Sequence, residues 1–263
     1  MFAASTLLKS SFFDRDPRTV ARNLLGKLLI RKTARGILAG RIVETEAYLG
    51  EGDLAAHAVA GKTARNFVLF GPPGHAYVYF IYGNHYCLNV SCLPDGVPGC
   101  VLFRALEPVA GIEEMAEARG LKIVWGGAPS PVQAERTGVP VKPGVGLTGW
   151  RSSAVAGGRS KSGLATAQET DLKKISLLKK IASGPGRMCE ALSITRQRDN
   201  GKSLVSARSD LRIVDAGYRV RQVMVTRRIG IKKSADAPLR YVIAGNPFVS
   251  GSKLLHHMRG NDC

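Results

Sequence analysis

Carboxylates and a phenol occupy alternate positions in the run Arg41-Ile-Val-Glu-Thr-Glu-Ala-Tyr-Leu-Gly50. On a strand, alternation places Glu44, Glu46 and Tyr48 on one face and Val43, Thr45 and Ala47 on the other. Two carboxylates on one sheet face are unusual if that face is core, because a buried ion needs a partner. His57 follows nine residues after Tyr48. Spacing alone slightly favours a solvated strand face with a surface histidine. Glu44, Glu46, Asp53 and His57 could in principle form a hard-metal cluster, but their spacing fits no ligand pattern.

A second cluster, His75-Ala-Tyr-Val-Tyr-Phe-Ile-Tyr-Gly-Asn-His-Tyr86, is rich in tyrosine. Tyr77 and Tyr79 share a strand face, and Tyr82 sits beside Gly83-Asn84, a hairpin signature. The ordinary account is packing, since tyrosine favours strands. An aromatic at an exposed hairpin tip is also the geometry of a wedge between base steps. Stacking on an aromatic is worth ~1–3 kcal/mol per base, comparable with the few kcal/mol needed to unstack one. Base extrusion is therefore energetically open to such a hairpin.

The charge balance bears on this. Across 263 residues, 38 Lys and Arg face 20 Asp and Glu, leaving +18. Solubility needs only ~2–8 in a small domain, so a polyanion such as nucleic acid is the expected partner. The hydrophobic fraction of 44% is enough for a real core. Five cysteines, odd in number and without a C-x-x-C pair, read as buried or incidental thiols in a reducing compartment. The sequence has no apolar run long enough to span a membrane. Gly61-Lys62-Thr63 lacks the upstream glycine of a phosphate loop.

The elements that must position these residues can be read in order. Asp16-Pro17 caps a helix that stops at Gly26. Strands are expected at 27–32 and 38–48, then a loop or short helical piece from 57 to 70. A hairpin over 75–82 and 86–92, a strand at 99–106 and a helix at 110–119 follow. Residues 120–168 are dominated by Gly, Pro, Ser and Ala and read as a long, mobile insertion. Helices at 171–182 and 187–193 and strands at 211–214, 218–227 and 239–244 complete the chain. Hairpins with helices alongside predict one α+β domain over 1–263, with a mostly antiparallel sheet.

Taken together, several of these segments carry a resemblance. Residues 41–50 with His57, residues 77–83, Asn89 and the run Leu102-Phe-Arg-Ala-Leu-Glu-Pro108 resemble the alkyladenine (3-methyladenine) DNA glycosylase family. Gly184-Pro-Gly186 with Cys189-Glu-Ala-Leu192, and Pro238-Leu-Arg-Tyr241 with Asn246-Pro-Phe-Val249, are similar to later family segments. The likeness covers roughly 12–119 and 183–250 in the same order. It implies a monofunctional hydrolase that removes alkylated or deaminated purines from double-stranded DNA after flipping the base. It implies neither metal nor cofactor; a monomer is expected, located with DNA inside the cell.

Residue by residue, the resemblance makes Glu46 the general base that activates a water. Arg104 and the main chain at Ile229 would help to hold that water. Tyr48, His57 and Tyr79 would line the pocket and sandwich the base, and Asn89 would exclude the exocyclic amine of guanine. Tyr82 would fill the gap left in the duplex. The physical logic agrees: tyrosine faces hold a cationic purine by cation–π attraction, and Arg104 would keep the carboxylate charged. One geometric requirement follows. For Tyr79 and Asn89 to face one pocket, a three-residue loop at 83–85, pairing Tyr79 with Asn89, or an equivalent bulge is expected.

Overall fold

The computed structural model describes residues 5–81, 83–123 and 167–251. Its centre is a sheet of nine strands whose pairings are all antiparallel. The strands are β1 (Thr6–Leu7), β2 (Leu28–Thr33), β3 (Gly36–Tyr48), β4 (Ala76–Ile81) and β5 (His85–Ser91). They continue as β6 (Cys100–Ala110), β7 (Leu211–Asp215), β8 (Val223–Thr226) and β9 (Arg240–Ile243). The order across the sheet is β1-β7-β2-β3-β6-β5-β4, with β9 also pairing with β3 and β8 with β9. The α+β reading holds.

The helices are α1 (Ser10–Phe13), α2 (Pro17–Leu24), α3 (Ile112–Ala118), α4 (Ala167–Ala182), α5 (Pro185–Ala191) and α6 (Arg196–Asp199). Helix α2 begins as its sequence dictates: the Asp16 carboxylate accepts the Arg18 N–H and Pro17 opens the first turn. Its apolar stripe Val20, Ala21 and Leu24 is fully buried and packs on β3. Helix α5 does the same against β5 and β6. The core joins both helices to the sheet through residues such as Ile42, Phe103, Leu106, Met188 and Ile213.

Strand β3 organises the site. Its first half pairs with β2, Thr33↔Gly36 through Leu28↔Arg41, whereas Glu44, Thr45 and Glu46 pair with β9. A β-bulge against β6 lies at this change of partner, between Ile42 and Thr45. A bulge bends and twists its strand locally, so one long strand serves two different neighbours on the same edge.

Two expectations need correction. The hairpin pairs Tyr77 with Asn89 and Tyr79 with Cys87, not Tyr79 with Asn89. Ile81 pairs with His85, so His85 belongs to the strand and not to the loop. Gly83 adopts φ +74° and the Asn84 N–H donates to the Ile81 carbonyl at 3.3 Å, which centres the turn one residue earlier. Phe80 and Tyr86, 5.0 Å apart across the strands, accompany this register. The shift is by two in the pairing sum, so Tyr77, Tyr79, Cys87 and Asn89 still share one face.

Most of the expected insertion at 120–168, positions 124–166, lies outside the described residues. Leu121 and Ile123 pack against the core, and α4 already begins at Ala167. The second correction is that the strand expected at 218–227 is confined to Val223–Thr226. Arg41 instead lies over the Tyr218 ring at 4.0 Å, a cation–π contact that holds this segment beside β3.

Arg31 is fully buried and bonds to Asp199 at 2.8 Å, Asp210 at 3.0 Å and the Leu192 carbonyl at 3.2 Å. Lys202 closes on both aspartates, and Arg198 on Asp210. Partial burial pushes the Asp210 carboxyl up, but the Lys202 bond and the Arg31 and Arg198 charges outweigh it and hold it well below the usual carboxylate range. A carboxyl depressed on folding stabilises fully above its unfolded pKa and loses that contribution as pH falls through the folded value. Stability should therefore decline on acidification below about pH 4. Denaturant midpoints across that range should show Asp210→Asn to be less acid-sensitive than the parent.

Candidate active site

Glu46 has no exposed surface. Its Oε1 accepts the Ile229 backbone N–H at 2.8 Å and faces Arg104 Nη1 at 3.2 Å, and its Oε2 accepts the Tyr48 hydroxyl at 3.0 Å. Burial pushes the carboxyl above its ordinary pKa; Arg104, the Ile229 N–H and the Tyr48 hydroxyl pull it back only in part. Tyr48 responds in the opposite sense: burial and the adjacent carboxylate push its phenol well up, so it stays a donor.

Glu44 is equally buried, so this strand face is not the solvated one that spacing favoured. Its Oε1 accepts Arg104 Nε at 2.8 Å, Arg240 Nε at 2.7 Å and the Ser250 hydroxyl at 2.9 Å. Its Oε2 accepts the Ser250 N–H at 2.6 Å. Arg104 thus bridges two carboxylates. Glu44 supports it from behind, while Arg240 reaches on to Thr226 Oγ1 and the Ser250 carbonyl. Four donors thus engage Glu44, three on Oε1 and one on Oε2.

An aromatic wall stands beside this pair. His57 Nδ1 lies 2.9 Å from the Tyr77 hydroxyl, and its ring meets Tyr79 edge-on at 4.5 Å. Tyr77 and Tyr79 are 5.4 Å apart. His57 is on the surface, as spacing suggested, yet packing of its ring and the nearby Arg65 push its pKa down. It is a neutral imidazole at pH 7. Burial raises the Tyr77 phenol to about 12 and pushes that of Tyr79 well above its ordinary value. Asn89 is buried on the same face, its Nδ2 donating to the Tyr77 carbonyl at 3.3 Å. Tyr48, Tyr77 and Tyr79 belong to one packed cluster with Cys100 and Leu69, so wall and carboxylate form one site.

Of the residues expected from sequence, Glu46, Tyr48, Arg104 and Ile229 are joined by direct bonds. His57, Tyr79 and Asn89 are joined through Tyr77. Tyr82 lies outside the described residues. Sequence reasoning missed the working partners Arg240, Ser250 and Arg228, although Arg240 stood inside a segment already marked, and it weighed Asp53 only as a metal ligand. Asp53 accepts both Arg228 Nη1 (2.5 Å) and Nη2 (2.8 Å), which commits it to an arginine. Among the described residues, no three His, Cys, Asp or Glu side chains are placed to hold a metal ion. Cys87, Cys92, Cys100 and Cys189 are buried free thiols.

Gly50 fixes the turn between Tyr48 and Asp53. It has φ +92°, and a Cβ there would overlap the Pro98 carbonyl oxygen. Gly50→Ala should destabilise the fold by more than about 1 kcal/mol, measurable by urea unfolding.

Against known families, the model for methylpurine-DNA glycosylase (MPG) matches residues 11–134 and 155–247. The chain belongs to the methylpurine-DNA glycosylase family. A relative from Koribacter versatilis is 54% identical over 248 residues, covering 94% of this chain and 95% of its own. Relatives from Methanocella arvoryzae and Burkholderia cenocepacia are each 37% identical, covering 93% and 94% of this chain and 96% and 92% of theirs. All three carry the provisional name 3-methyladenine DNA glycosylase. As a methylpurine-DNA glycosylase, the protein is a monofunctional hydrolase of N-glycosyl bonds with DNA as its substrate. None of the described helices is long and apolar enough to cross a membrane.

Proposed function

We propose that this glycosylase excises 3-methyladenine-type and deaminated purines from duplex DNA by flipping the damaged base into the wall formed by Tyr48, His57 and Tyr79. The observation that carries this reading is the Glu46 carboxylate, buried beside that wall and held by three donors on two separate oxygens. In the reaction, Glu46 takes a proton from a water that attacks the sugar carbon as the glycosidic bond breaks. Arg104 keeps the carboxylate ionised, and the Ile229 N–H fixes its direction. A purine made cationic by alkylation is held by the electron-rich tyrosine faces and leaves without needing an acid.

Asn89, on the floor of the same face, excludes bases bearing an amine at the position of the guanine exocyclic group. Tyr82 occupies the space vacated in the duplex. The +18 charge attracts the DNA backbone. In this reading the acting unit is a monomer. The test is release of free base from duplexes carrying single alkylated or deaminated purines, with and without chelator. Release of alkylated purines without strand cleavage, unchanged by chelator, is the expected result. Release that requires a divalent ion, or strand scission, would overturn the reading.

A further inference from the structure

We infer that Asp53 and Arg228 form a positioning pair for this reaction, holding Tyr48 from behind and aiming Glu46 through the adjoining main chain. The assignment rests on the excision reading above and adds residues to it. The Arg228 side chain has no exposed surface and that of Asp53 is 2% exposed. The guanidinium forks onto the carboxylate through Nη1 and Nη2, and Nη1 also donates to the Ala47 carbonyl at 3.0 Å. Ala47 is the residue between Glu46 and Tyr48, so the guanidinium grips the strand at the centre of the site.

The same guanidinium lies 4.6 Å from the Tyr48 ring centroid. An aromatic ring has two faces, and Arg228 occupies one of them. A stacked purine is left with the other. The next residue, Ile229, donates its N–H to Glu46 at 2.8 Å. One buried ion pair thereby sets the plane of the stacking ring, the backbone between base and ring, and the donor that orients the carboxylate. Lysine retains the charge but cannot make the planar fork or the stack. Loss of such supporting contacts elsewhere costs about 10–100-fold in activity, and small misplacements of reacting groups cost about 10²-fold.

The charged and titratable groups facing Glu46 are Arg104 and Glu44 from the sheet, Tyr48 on its own strand, Cys87 from β5 and Arg228. Removing the Arg228 charge therefore makes Glu46 harder to ionise. The experiment is single-turnover base release from an alkylated duplex as a function of pH, with duplex affinity and denaturant midpoint measured on the same samples. Arg228→Lys and Asp53→Asn should lower the rate about 10–100-fold with affinity changed only a few-fold. Arg228→Lys should leave the acid limb in place, whereas Arg228→Gln should move it to higher pH. If Arg228→Gln does not fold, the Arg228→Lys rate decides. Parent-like rates in Arg228→Lys, or losses that follow folded fraction alone, overturn the pair while an active parent leaves the excision reading standing. A parent that releases no base overturns that reading and this assignment with it.

Discussion

Glu46→Gln is expected to lower base release about 10²–10⁴-fold, the range for loss of a general base, while duplex affinity and folding stay close to those of the parent. The geometry explains the separation. Oε1 faces two donors, the Ile229 N–H and Arg104, and Oε2 faces the Tyr48 hydroxyl. A glutamine can turn its carbonyl to the two donors and its amide to the hydroxyl, which can accept. The shape survives and the charge is lost. In the parent, the rate should fall as pH drops through the Glu46 pKa, which burial places above the ordinary value of about 4.3. Single-turnover release against pH measures both. A variant that cleaves at the parental rate would remove Glu46 from the mechanism.

Arg104→Met should be the most damaging single change to folding, at about 3–5 kcal/mol, because it leaves a buried charge without its partner. Arg104 is 7% exposed and Glu44 and Glu46 not at all, so water cannot take over. Glu44 retains Arg240 and Ser250, whereas Glu46 keeps only the neutral donors of Ile229 and Tyr48. Adding Glu44→Gln removes one of two like charges and should recover part of the loss. Urea unfolding of the two single variants and the double would measure that coupling. Strict additivity would mean that Arg104 does not bridge the carboxylates.

Much of this site was legible because its residues lie close together on strands. Alternation put Glu44, Glu46 and Tyr48 on one side of β3, and the tyrosine spacing put Tyr77 and Tyr79 on one side of β4. Their depth was not legible. Arg240 and Ser250 stand 196 and 206 residues from Glu44, and Arg228 stands 175 from Asp53. Periodicity says nothing about partners at such separations, so a solvated face looked simpler than a paired, buried one. The hairpin register failed for a local reason: a positive φ at Gly83 settles where the turn centres, and Gly83-Asn84 alone permits more than one arrangement.

The contact between Glu44 and Ser250 also bears on when catalysis can begin. During synthesis the strand bearing Glu44 emerges from the ribosome long before residue 250 does. Until then the carboxylate behind Arg104 lacks both donors that Ser250 supplies, so the network around Glu44 closes only after residue 250 has left the ribosome.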